Sequence, residues 1–218
     1  MAFAGSREDR TNVTIACALA RNEVIYLAAD SAIDGLPTTG RAHKLDHSDV
    51  LPLAWATAGD EAIGDQFGDW LRSQLASADD PTKITWDTLV ENCVLRLAAL
   101  NGIRSRAGQA NHVSWNPADA LGQILLVGFV GERAEIAHLE VSGDWTLHML
   151  AGRSFTAIGS GQYHAAMTYE LLLERGLLSN EGPAAVRDVA EAAARHAPHC
   201  SLPVDIVAVT RDGVVAVA

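Results

Sequence analysis

The sequence predicts an α+β protein built as a four-layer α-β-β-α sandwich of two antiparallel sheets, and three observations lead there. The hydrophobic periodicity runs strands, two helices, strands, two helices, strands. The strands come as pairs around short polar turns, the pattern of hairpins, which makes their sheets antiparallel. The helices also come in pairs, suited to covering the outer face of each sheet. This is not the strict β-α alternation of a parallel doubly wound sheet.

Taken in order, residues 1–12 are polar and aperiodic. Residues 14–19 are small and β-branched, Arg21-Asn22-Glu23 supplies a turn, and Val24 to Ala29 forms a second apolar run, so a hairpin is expected. Residues 35–40 read as a loop, and residues 50–57 as a strand with Pro52 near its start. In residues 60–76, Ile63, Phe67, Trp70, Leu71 and Leu75 recur at three- and four-residue steps and predict a helix. Residues 85–103 repeat the pattern with Leu89, Cys93, Leu95, Leu97 and Leu100, and Gly102 with residues 105–120 reads as a long surface loop. Strands are expected at 122–130, 134–140, 145–150 and 154–158, then helices at 162–175 and 183–196, with Pro183 in a first turn where its missing N–H costs little. A last hairpin joins 204–209 to 214–217 through Arg211-Asp212-Gly213. No internal repeat or interdomain linker interrupts this, so one domain is expected over residues 14–218, after an extension of residues 1–13.

Composition limits the function classes. Hydrophobic residues make up 49% and charged residues 20%, which gives enough apolar material for a core and too little charge for a disordered chain. The formal net charge of −11 would repel a phosphate backbone, so no nucleic-acid partner is expected. Apolar runs such as residues 124–130 fall far short of the roughly 20 residues of a membrane helix, and the N-terminus has no apolar signal region. Cys17, Cys93 and Cys200 are widely spaced and form no CxxC pair, which reads as reduced thiols rather than disulfides or zinc ligands. The expectation is a soluble cytoplasmic protein with no membrane partner and no cofactor.

Four segments carry a resemblance. Thr14-Ile15-Ala16 opens the first strand, and Ala28-Ala29-Asp30-Ser31 ends the second sixteen residues later. His43-Lys44-Leu45 follows, then Thr57-Ala58-Gly59, then Ala157-Ile158-Gly159-Ser160-Gly161. In this order and on this element pattern, the chain resembles the β-type subunits of the proteasome and related bacterial peptidases, which are N-terminal-nucleophile hydrolases. The resemblance covers nearly the whole chain after residue 13. It implies Thr14 as nucleophile, Asp30 and Lys44 as its charged neighbours, the Gly59 N–H in an oxyanion hole, and Ser160 beside them. It further implies a homo-oligomeric ring or spiral and a peptide substrate; an ATPase partner is compatible with it but has no support in the sequence. Lys44 lies fourteen residues after Asp30, two fewer than usual in the family. Residues 196–203 contain no acidic side chain where active members carry an aspartate and a serine; Ser201 stands nearest to that serine. Val13 occupies the position where relatives usually have glycine. A register shifted by one would instead place Val13 at the nucleophile position.

A threonine hydroxyl needs a base, and in this fold the base is the threonine's own α-amine, which exists only when the chain is cut before Thr14. A free α-amine titrates at roughly 7.7–8. A neighbouring Lys44 ammonium would favour its neutral form, while Asp30 would hold that ammonium in place. Residues 1–13 are then a candidate propeptide. Each residue also has a plainer reading: a strand threonine, a turn aspartate, a solvated lysine, a glycine before a helix, a serine in a glycine turn.

Other motifs fail. Gly159-Ser160-Gly161 continues as Gln162-Tyr163-His164, so it is neither a phosphate loop nor a nucleophile elbow. His43 and His47 are four residues apart without further ligands nearby; His196 and His199 beside Cys200 suggest zinc or a Cys–His nucleophile, but Pro198 between the two histidines favours an ordinary loop. Three functions remain in order: a threonine peptidase or amide hydrolase, a catalytically inactive scaffold or binding subunit of the same fold, and an amidase on a small substrate.

Overall fold

Two-residue alternation in the strands sorts the apolar side chains onto both faces of each sheet, so the chain builds three apolar layers instead of one. The computed structural model describes residues 14–30, 44–110, 122–131, 133–140, 154–197, 200 and 202–217; of residues 104, 105 and 107–110 it describes the backbone alone. The described strands are β1 (Ala16–Arg21), β2 (Val24–Asp30), β3 (Leu45–His47), β4 (Leu53–Gly59), β5 (Gly122–Phe129), β6 (Ala134–Glu140), β7 (Phe155–Ile158), β8 (Val204–Thr210) and β9 (Gly213–Val217). One sheet has the order β7-β1-β2-β8-β9 and the other β3-β4-β5-β6, with every pairing antiparallel.

Ala16 and Ala18 of β1, Ile25 and Leu27 of β2, Ala54 and Ala56 of β4, and Leu125 and Val127 of β5 meet between the sheets. The alternate residues face outward to the helices. Ile15, Cys17 and Leu19 pack under α3 (Gln162–Glu174) and α4 (Gly182–His196), while Leu53, Trp55, Ile124 and Leu126 pack under α1 (Glu61–Ala76) and α2 (Trp86–Ala110). The small alanines on the inner faces of β1 and β4 let the two sheets approach closely, and the large side chains fill the outer layers. The expected α+β four-layer sandwich is therefore the observed architecture.

Local chemistry sets the ends of several elements. Asp60 caps α1, its carboxylate accepting from the Ala62 N–H at 3.0 Å. Thr85 does the same for α2, its hydroxyl accepting from the Thr88 N–H at 3.3 Å. Gly182 opens α4 directly over the Tyr26 ring, where a Cβ would lie 1.9 Å from a ring carbon, so only glycine lets this helix settle on the sheet.

Four expectations need correction. The helix α2 continues to Ala110, so residues 105–110 are helical and not loop; Arg, Ala and Gln there are good helix formers, which outweighs the cost of Gly102 and Gly108. Leu95 is 63% exposed. It lies two residues from both Cys93 and Leu97, and a two-residue step does not share a helix face. The strand expected from residue 50 begins at Leu53, because Val50 and Leu51 instead donate their N–H groups to the Ser48 hydroxyl in a turn. Strand β3 was not expected at all. The propeptide region, the loop at 35–40, the strand expected at 145–150, the loop at 111–120, and residues Val13, His43, Pro198, His199 and Ser201 lie outside the described residues.

Candidate functional site

The β1–β2 hairpin turns through only two residues, Asn22 and Glu23, whose φ angles of 51° and 60° define the mirror-image turn that matches strand twist. The ladder is then unbroken from Arg21↔Val24 to Ala16↔Ala29. This register returns the chain so that the Asp30 N–H donates to the Ile15 carbonyl at 3.0 Å, beside Thr14. The Asp30 carboxylate folds back over the same place, and its Oδ1 accepts from the Ile15 N–H at 2.9 Å.

The same Oδ1 accepts from Lys44 Nζ at 2.9 Å. Lys44 comes from the other sheet, immediately before β3, where its carbonyl accepts from the Thr57 N–H at 3.3 Å. The ion pair thus ties the two sheets together at their ends. The Asp30 side chain is fully buried and that of Lys44 is 12% exposed, so the pair lies away from water, where its attraction is screened little.

A glycine turn holds Thr14 from the far side. Gly159 has φ +87°, and a Cβ on it would lie 2.0 Å from the Thr14 carbonyl oxygen. That oxygen accepts from the Ser160 hydroxyl and from the Gly161 N–H, both at 3.5 Å. The Gly159 N–H donates to Gln123 Oε1 at 2.7 Å. Thr14 itself is 4% exposed. Gly59 ends β4 with φ +99° and pairs with Gly122. Since the Thr57 N–H meets Lys44, two-residue alternation turns the Gly59 N–H toward that same edge of the sheet.

The structure thus brings Thr14, Asp30, Lys44 and Ser160 into one cluster, with Gly59 joined to it through Ala58, whose Cβ faces Gly159. Sequence reasoning missed two members. Cys200 is half-buried against this cluster, and its thiol is pushed up to about 11, first by burial and next by the negative charge of Asp30. Lys44 and a hydrogen bond with Ser160 offset part of that rise. Near neutral pH Cys200 is therefore a protonated thiol. Its position in the stretch 196–203, where the resemblance places polar site residues, was the available signal. Gln123 had none, being 36 residues from its partner. Among the described residues no group of three or more His, Cys, Asp or Glu side chains suits a metal ion.

Two stacked antiparallel sheets, each covered on its outer face by a pair of helices, make a proteasome-like fold, and comparison with solved structures agrees. The chain is similar to BPH of Thiobacillus denitrificans, solved in complex with epoxomicin, with a TM-score of 0.55 and 17% identity over 91% of this chain and 98% of that one. At that identity the likeness is one of fold. No family model matches the chain, and no curated protein matches it.

Proposed function

We propose that this protein is a proteasome-like threonine peptidase or amide hydrolase whose nucleophile is Thr14, exposed by removal of residues 1–13. One observation supports this most: a single buried oxygen, Asp30 Oδ1, bonds both the N–H next to Thr14 and the ammonium of Lys44. This aligns a positive charge with the end of β1, where a new α-amine would be created. A neighbouring cation favours the neutral amine, which can then act as a base.

In the proposed reaction the α-amine takes the hydroxyl proton as Thr14 Oγ adds to the substrate carbonyl carbon. The resulting oxyanion receives the Gly59 N–H. The carbon–nitrogen bond then breaks, and the departing amine takes the proton from the α-ammonium. Water hydrolyses the acyl-threonine ester and restores the hydroxyl. Asp30 remains ionised and keeps Lys44 in place, while Ser160 and Gly161 fix the Thr14 carbonyl. A homo-oligomer belongs to the same proposal, resting on the proteasome-like fold, and sedimentation velocity reads it directly.

A second reading, a catalytically silent scaffold, is favoured by the near-complete burial of Thr14 and by the neutral Cys200 thiol in the cluster. Intact mass of the purified protein separates the two. A chain shortened by residues 1–13 that gains one epoxomicin per subunit, with the adduct lost in Thr14→Ala, supports the peptidase. A full-length chain that forms no adduct overturns it in favour of the scaffold.

A further inference from the structure

We infer that Gln123 is a positioning residue of this site, the side chain that holds the glycine turn around Thr14 in register with the Ala58-Gly59 end of β4. The inference rests on the proposed function for its catalytic consequence but not for its geometry.

The two halves of the site belong to different sheets. Thr14 and the turn Gly159-Ser160-Gly161 flank β1 and β7, which pair as Ala16↔Ile158. Gly59 belongs to β4, which pairs with β5 as Ala58↔Gln123 and Gly59↔Gly122. Sheets packed face to face interact through side chains alone, so their relative slide is set by packing and by whatever polar links cross the gap. Between the sheets the packing is largely alanine and aliphatic, which favours close approach without fixing a register.

Gln123 crosses that gap. It stands directly beside Ala58 in the ladder, and its amide oxygen accepts the Gly159 N–H at 2.7 Å. Gly159 is also the tightest point of the site. Its Cα, at φ +87°, lies so close to Thr14 that a Cβ would be 2.0 Å from the Thr14 carbonyl oxygen and 3.4 Å from Ala58 Cβ. A left-handed residue needs its flanking peptides held, and here one of them is held by Gln123. The next two residues, Ser160 and Gly161, grip the Thr14 carbonyl with bonds of 3.5 Å, at the long end for hydrogen bonds and so dependent on the turn staying where it is. The chain of dependence runs from Gln123 to Gly159, then through Ser160 and Gly161 to Thr14.

The side chain suits the role. Glutamine brings an acceptor on a reach long enough to cross between sheets, without a charge. Directly opposite it in the β5–β6 ladder is Glu140, so a second carboxylate at position 123 would stand against a like charge.

Hydrogen exchange on the full-length protein tests this whether or not Thr14 is ever exposed. Gln123→Met keeps the length and removes the acceptor; Gln123→Asn keeps the amide but withdraws it by one methylene. In both variants the Gly159 amide is expected to exchange about five- to ten-fold faster than in the wild type, the loss of one hydrogen bond. Amides of the Ala16–Arg21 and Val24–Asp30 ladder are expected to keep their protection. A uniform rise across the molecule would mean that Gln123 contributes only to global stability, and unchanged exchange at Gly159 would mean that the bond does no positioning; either result overturns the inference. Where the wild-type protein reacts with epoxomicin, the rate of capture is expected to fall about ten-fold in Gln123→Met with the melting temperature nearly unchanged. A wild type that does not react defeats the peptidase reading but leaves the exchange experiment fully informative.

Discussion

Lys44 and Asp30 illustrate how much a single buried oxygen controls at the scale of residues. Asp30 Oδ1 receives both a backbone N–H and an ammonium, with the carboxylate out of contact with water. Replacing Lys44 with methionine keeps most of the side-chain volume but removes the partner charge from a buried carboxylate. Breaking a buried pair in this way costs about 3 kcal/mol or more, because the hydrogen bonds Asp30 keeps, such as that from the Ile15 N–H, do not replace its lost counter-ion. Urea unfolding of Lys44→Met near pH 7 should show a loss of that size. A loss below about 1 kcal/mol would mean that water replaces the ammonium at Asp30 easily. Gly159 makes the complementary case for a backbone. Gly159→Ala adds a Cβ at 2.0 Å from the Thr14 oxygen on a left-handed backbone. It is expected to lower stability by about 2 kcal/mol or more through clash and strain together. A variant that melts at the wild-type temperature would refute this account of the turn.

At the scale of elements, helix α1 is the most self-explanatory. Asp60 begins it through a bond to the Ala62 N–H, and Ile63, Phe67, Leu71 and Leu75 keep one face on the sheet. Asp60→Ala should therefore cost about 1 kcal/mol, the usual worth of an N-cap. In a chain of this size that corresponds to a melting temperature lower by about 3 °C, measured by calorimetry. The same helix shows why this element was legible in the sequence: its cap, its four-residue steps and its length all agree. Strand β3 was not legible, because Leu45-Asp46-His47 is too short to display a period; it exists through pairing with β4, and that pairing is what delivers Lys44 to Asp30. For the site, the β1–β2 spacing from Thr14 to Asp30 could be read because a two-residue turn adds nothing to it. Lys44, Gly59 and Ser160 entered only through a resemblance of order, since their meeting depends on two sheets stacking. Gln123 could not be read as a member at all, for a long-range hydrogen bond leaves no pattern along the chain, while Cys200 was marked only by lying in the stretch 196–203 and not by any feature of the thiol itself.

For the whole molecule, layering decides how its thiols respond to pH. Cys17 belongs to the layer between the first sheet and α3–α4, and Cys93 to the layer between α1–α2 and the second sheet. Burial pushes each thiol up to about 12. An unfolded thiol titrates near 8.5, so the unfolded chain releases these protons first. Folding stability held by the two thiols is therefore complete below about pH 8.5 and is lost as pH rises from there toward 12. Each pH unit above the unfolded value removes up to about 1.4 kcal/mol per thiol. Urea midpoints for wild type and Cys17→Ala under reducing conditions, from pH 8 to pH 10.5, should show the stability advantage of the wild type shrinking at that rate. The cost of the cavity left by alanine is independent of pH, so it shifts the whole difference without changing its slope. Because the two cysteines lie in separate layers, Cys93→Ala should show a like slope and the double variant the sum of both. A difference that stays flat with pH would mean that water reaches these sulfurs in the folded state, which a sandwich with closed outer layers does not allow.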